Sequence, residues 1–198
     1  MPRRAKVRPD EPGQEKILEA GLELFAERGY HATSIAEIGE RAGIAKSVLY
    51  HYFSSKAGLY EAILESEMQD LIAQVADALP SDPEAPRLRV GVDAYLRFIS
   101  ERPAAWRLIV RDPPADPALI AVHRRLAAEG EQALTALIAA PEKQRDASPH
   151  VSLVAAAIRT FAAWWYEHRE IPQEQITQAI IDVAHAGAQR LHSHPKEH

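Results

Sequence analysis

Thr33-Ser34-Ile35-Ala36-Glu37-Ile38-Gly39-Glu40-Arg41-Ala42-Gly43-Ile44-Ala45-Lys46-Ser47-Val48-Leu49-Tyr50-His51-Tyr52-Phe53 is the stretch that decides the fold. Thr33 and Ser34 are good N-cap residues, and Ile35, Ile38 and Ala42 follow at the spacing of one helix face. Glu37 stands three residues after Ser34, the spacing of a capping box. Gly43 supplies the stop, where a left-handed cap is wanted. A further helix then begins near Ala45. At about 100° per residue, Lys46, Ser47, Tyr50 and His51 fall on one half of it, and Val48, Leu49, Tyr52 and Phe53 on the other. The first half is polar and hydrogen-bonding. The second is bulky, apolar and expected in the core. A short helix, a glycine turn and a second helix with such a polar face form the helix-turn-helix pattern.

The flanking residues extend the pattern. Upstream, Ile17, Leu18, Gly21, Leu24 and Phe25 make a one-sided apolar stripe that ends at Gly29. Downstream, Ser54-Ser55 and Lys56 open a long helix, and hydroxyls with a lysine at a helix N-terminus suit a phosphate. Over the whole chain of 198 residues, no Pro falls between Pro12 and Pro80. Beyond that gap, all but Pro195 cluster around 80–86, 103, 113–117, 141–149 and 172, reading as corners between long helices. The expected helices cover roughly 57–78, 86–101, 104–111, 117–139, 150–169 and 173–191, and no alternating β-branched run competes with them. The fold class expected is all-α.

The long match to one pattern carries a resemblance. The residues Ile17-Leu18-Glu19-Ala20, Leu24-Phe25-Ala26-Glu27-Arg28-Gly29-Tyr30, Thr33-Ser34-Ile35, Ile38, Ala42-Gly43-Ile44 and Leu49-Tyr50-His51-Tyr52-Phe53-Ser54-Ser55-Lys56 resemble, in register and without gaps, the DNA-binding domain of the TetR/AcrR family of bacterial transcriptional regulators. The resemblance implies an N-terminal three-helix helix-turn-helix domain followed by a larger helical ligand-binding and dimerisation domain. It also implies a homodimer on a palindromic double-stranded DNA operator, released or recruited by a small-molecule effector. Matched position by position, Lys46, Ser47 and Tyr50 would face bases, while Thr33, Ser34, His51 and Lys56 would contact phosphates. Ala45 stands where the family often has Ser or Thr, and Gly21 and Gly39 where Ala is more usual.

The domains expected are a disordered basic arm (1–12, with Arg3, Arg4, Lys6 and Arg8), the helix-turn-helix domain (13–56), the ligand-binding and dimerisation domain (57–192) and a disordered tail (193–198). The arm reads either as a solvated terminus or as a reach into a minor groove. Charge divides along similar lines. Residues 1–60 hold 9 Lys/Arg against 8 Asp/Glu, and the remainder 14 against 20, so the net −5 hides a locally basic segment.

In the C-terminal part, Val151–Tyr166 is apolar nearly all round, which suits a helix buried on two sides. It is too short for a membrane span. With the stripe on the last helix, it suggests a twofold contact between subunits through Val154, Ile158, Trp165, Ile180, Ala184, Gly187 and Leu191. Tyr95, Phe98, Trp106, His123, Phe161 and Trp164 are the candidates for an effector cavity, with plain core as the competing reading. Arg107 and Arg111 would bind an acidic group or pair on a solvated face.

The exclusions are as informative. There is no Cys, hence no disulfide, thiolate nucleophile or Cys-based zinc site. Nine His show no His-Glu-x-x-His spacing, and His192, His194 and His198 sit at the polar end. No phosphate loop or nucleophile elbow is present. No catalytic residue, metal site or cofactor is expected, and no membrane association. The N-terminus lacks a secretory apolar stretch, so a cytoplasmic location is expected. The reading is a ligand-responsive DNA-binding regulator, a repressor on family precedent. The alternative is a helical small-molecule-binding or scaffolding protein whose N-terminal domain no longer binds DNA.

Overall fold

The computed structural model describes residues 12–82, 85–110, 113–138 and 149–192. Among these, nine helices and no strand occur: α1 (Pro12–Arg28), α2 (Ile35–Ala42), α3 (Lys46–Tyr52), α4 (Lys56–Ala78), α5 (Arg87–Glu101), α6 (Pro103–Val110), α7 (Pro117–Ile138), α8 (Pro149–Glu167) and α9 (Gln173–His192). The chain is all-α, as expected. The arm residues 1–11, Arg111 and the tail 193–198 lie outside the described residues, and so do the side chains of Val154, Gly187, Leu191 and His192.

The prolines act as the corner reading requires. Pro12, Pro103, Pro117 and Pro149 each occupy the first position of a helix, where a missing N–H costs nothing. The Asp116 carboxylate caps α7 by accepting the Ala118 N–H at 2.9 Å, and the Ser55 hydroxyl caps α4 by accepting the Gly58 N–H at 3.0 Å. Gly29 (φ 85°) and Gly43 (φ 67°) end α1 and α2 in the left-handed region.

Two compact units result. The first joins residues 1–70 to 102–129, so α1–α3, most of α4, α6 and the first part of α7 share one core. Ile17, Leu24, Phe25, Ile38, Leu49, Phe53, Tyr60 and Trp106 are buried there. The second comprises 71–101 and 130–198, where α5 packs against α8 and α9. These units follow a different line from the 56/57 boundary expected from the sequence. The reason is visible on α1. Besides the stripe Ile17, Leu18, Leu24 and Phe25, it buries Ala20, Leu22 and Ala26, and it packs against α6 as well as α2.

Inside the second unit, the buried Thr177 hydroxyl donates to the Asp93 carboxylate at 2.5 Å. The Arg89 guanidinium pairs with Glu174 on α9. Arg169, just past the end of α8, places its guanidinium 4.1 Å from the Trp165 ring centroid and donates to the Ile99 carbonyl of α5 at 3.0 Å.

Candidate nucleic-acid interface

The helix-turn-helix is built from local chemistry. The Ser34 hydroxyl accepts the Glu37 N–H at 3.2 Å, and the Glu37 carboxylate accepts the Ser34 N–H at 2.8 Å, completing the capping box. These bonds, helped by Arg28 at 3.1 Å, lower the Glu37 pKa. At the other end of α2, the Gly43 N–H returns to Glu40 and the Ile44 N–H to the Gly39 carbonyl at 2.8 Å. The turn brings the Ile44 carbonyl so near Gly39 that a Cβ there would lie 2.9 Å from the oxygen. Gly39 is therefore a close-approach residue rather than a weak helix former. At Gly21 on α1 the obstacle differs: a Cβ would meet the end of the Ile63 side chain, not backbone, at 2.7 Å.

Leu49 and Phe53 pin α3 to the core. Lys46, Ser47, Val48, Tyr50 and His51 are all exposed, and Tyr52 is half-buried. Val48, expected in the core, is 43% exposed. A seven-residue helix packed along one edge buries only a narrow stripe, and Val48 sits on the flank of that stripe. Its methyls join the outward face beside Lys46, whose ammonium lies 5.8 Å from the Tyr50 ring centroid. The face offers ammonium, hydroxyl and imidazole groups, two methyls and no carboxylate. Ala45 provides no side-chain cap.

The expected phosphate contacts divide. Ser34 and His51 are exposed. Thr33 is 2% exposed, and its hydroxyl is committed to the Leu24 and Gly29 carbonyls at 3.2 and 2.9 Å. It fastens the loop to α1 and presents no hydroxyl to a phosphate. Lys56 is also turned inward. Its ammonium donates to the Tyr30 and Thr33 carbonyls at 2.8 and 2.9 Å and lies 4.2 Å from the Tyr30 ring centroid. Burial lowers its pKa.

The candidate effector residues are divided between the two units. Trp106 and His123 belong to the first unit, and Tyr95, Phe98, Phe161 and Trp164 to the second. Trp106, Tyr95 and Phe98 are buried, whereas Trp164 is 44% exposed and stacks on His168 at 4.1 Å. The candidate dimer residues Ile158, Trp165, Ile180 and Ala184 are, conversely, buried within one protomer. The indole N–H of Trp165 donates to the Ile171 carbonyl at 2.8 Å, which fixes that ring inward. Of the two adjacent tryptophans, Trp165 thus faces inward and Trp164 outward. The apolar residues left exposed on α8 and α9 are Leu153, Trp164 and Val183.

A groove of about 290 Å³ in the first unit is bordered by Phe25, Tyr30, Tyr60, Leu108 and Pro114. No group of metal-ligating side chains occurs among the described residues, and none of their helices is long and apolar enough to cross a membrane.

With this geometry in place, comparisons with known proteins are direct. The family model for bacterial regulatory proteins of the tetR family matches residues 17–63, spanning α1–α3 and the start of α4. The HTH-type transcriptional activator FasR of Mycolicibacterium smegmatis is 32% identical over 190 residues, covering 93% of this chain and 87% of that protein. Among solved structures, the fatty acid degradation regulator FadR of Bacillus halodurans superposes with a TM-score of 0.76 at 14% identity, covering 89% of this chain and 96% of that one. A TetR-like regulator from Rhodococcus sp. RHA1 gives 0.70 at 23% identity, covering 94% and 99%. The last two likenesses concern the fold alone.

Proposed function

The chain belongs to the tetR family of bacterial regulatory proteins, and from that premise we propose how this transcriptional regulator engages DNA and answers an effector. A homodimer sets its two α3 helices in successive major grooves of a palindromic operator, about 34–36 Å apart. Lys46, Ser47 and Tyr50 read base edges, and Val48 packs against thymine methyls. Ser34 and His51 hold phosphates. Thr33 and Lys56 stand behind them, keeping the loop that carries Ser34 in shape. The observation that carries this reading is the carboxylate-free, exposed face of α3 on a glycine-tight turn.

The dimer contact assigned to α8 and α9 uses the exposed Leu153, Trp164 and Val183 rather than the buried residues of those helices. A small-molecule effector shifts the balance between dimers whose α3 spacing fits the operator and dimers whose spacing does not. In the primary reading the protein is a repressor that effector releases. A second reading, transcriptional activation, is favoured by the M. smegmatis relative, which is a transcriptional activator.

Selection of bound duplexes from random sequence tests the DNA reading. A recovered inverted repeat, bound in a salt-sensitive manner and lost on Tyr50→Ala, supports it. Failure to enrich any sequence defeats it and leaves the small-molecule-binding alternative. Transcription from a promoter carrying the selected duplex then separates repressor from activator.

A further inference from the structure

A chain of side chains leads from α7 to the loop that starts α2, entirely within the first unit. The Tyr60 hydroxyl and His123 Nε2 lie 2.7 Å apart. The Tyr60 ring meets those of Tyr30 and Phe25 edge-on, each at 5.2 Å. Tyr30 carries the Lys56 ammonium on its face, and that ammonium binds the carbonyls of Tyr30 and Thr33. Thr33 in turn is bonded to α1. Tyr30 is half-buried and borders the open groove, so packing alone leaves its ring room to swing. Its ring is flanked by Tyr60, Phe25 and His31, with the Lys56 ammonium on its face.

We propose that His123 is a positioning residue for DNA binding. By accepting the Tyr60 hydroxyl, it holds the Tyr60–Tyr30 ring pair and, through Lys56, the backbone turn that presents Ser34 and starts α2. With its proton on Nδ1 the neutral ring accepts at Nε2, and burial, which lowers the His123 pKa, favours the neutral form. Tyr60 itself is 1% exposed. Helix α7 runs on beyond Glu129 into the second unit, so the histidine sits on an element common to both.

The inference rests on the DNA-binding reading for its functional half, and the experiment separates the two. Amide hydrogen exchange over residues 29–34 is measured without DNA for wild type, H123F, H123Q, Y60F and the H123F/Y60F double variant. Affinity for the tightest selected duplex is measured alongside. H123F and Y60F are each expected to lower loop protection and duplex affinity at least fivefold. H123Q, which keeps an acceptor near the Nε2 position, recovers most of both, and the double variant loses no more than either single one. Y60F removes one oxygen and keeps the ring, so it reports even where H123F folds poorly. Loop protection unchanged in Y60F, or losses that add in the double variant, would overturn the proposal. If no duplex is selected, the DNA reading falls while the exchange data still decide whether His123 holds the loop.

Discussion

Gly39 lies against the backbone carbonyl of Ile44, with room for a hydrogen and none for a methyl: a Cβ would stand 2.9 Å from the oxygen. That contact sets the spacing between α2 and α3. The obstacle is backbone, and the Ile44 N–H is simultaneously bonded to the Gly39 carbonyl at 2.8 Å, so neither side can yield cheaply.

Gly39→Ala therefore sets a helix-propensity gain of about 1 kcal/mol against an overpacking cost of about 1–3 kcal/mol. The expected result is a net loss of about 1 kcal/mol and a weaker operator complex. Gly21→Ala is the control. Its Cβ would meet the far end of the Ile63 side chain, which can rotate away, so its stability should stay within about 1 kcal/mol of wild type. Thermal denaturation of the two variants gives the comparison, and equal losses would contradict this account.

Val48 and Leu49 are neighbours with opposite duties. Val48→Ala should leave stability unchanged and weaken binding to the selected duplex by about 1 kcal/mol, roughly fivefold, if its methyls cover a thymine methyl. Leu49→Ala should instead cost about 2–5 kcal/mol of stability, since that side chain is fully buried. Fluorescence anisotropy and calorimetry on the same samples distinguish the two. A Val48→Ala protein with wild-type affinity would remove Val48 from the interface.

How far these residues were legible in the sequence follows from how each signal arises. The Ser34–Glu37 box, the Gly29 and Gly43 stops and the prolines at helix starts are local rules, and each holds. The polar half of α3 is equally local. The direction of Thr33 and Lys56 is not, because both are decided by carbonyls on another part of the chain. On α8 the difficulty is different. Where almost every residue is apolar, hydrophobic periodicity has no phase, so it cannot say which of Trp164 and Trp165 faces inward. A single bond from Trp165 to the Ile171 carbonyl settles it.

Glu67 predicts a pH dependence. Its side chain is 8% exposed, Arg102 holds one carboxylate oxygen at 2.7 Å, and the other oxygen has no hydrogen-bond partner. Burial, opposed by Arg102 and aided by Asp70, raises its pKa from 4.5 to about 7. A group whose folded pKa is raised binds its proton more tightly when folded. Its favourable contribution is complete below pH 4.5 and disappears as pH rises through about 7. Glu67→Gln should accordingly stabilise the protein at pH 8 by about 3 kcal/mol, and by little at pH 4.5. Melting curves across that range test it, and a variant less stable at pH 8 than at pH 5 relative to wild type would show that the ion pair with Arg102 outweighs the burial cost.

Trp164 and Trp165 give the cleanest test of assembly. Trp165 is 3% exposed, bonded to the Ile171 carbonyl and covered by Arg169, so Trp165→Ala should cost about 3–5 kcal/mol and lower the melting temperature whatever the oligomeric state. Trp164 is 44% exposed on the same helix and contacts His168, just past the end of α8. Placing a carboxylate there should leave the fold of one protomer intact but make the apolar contact with a second protomer untenable. Trp164→Asp is thus expected to sediment as a folded monomer where wild type sediments as a dimer, and to lose affinity for a two-half-site duplex far more than for a single half-site. If Trp164→Asp remains dimeric at micromolar concentration, the α8–α9 assignment is wrong and the subunits meet through another face.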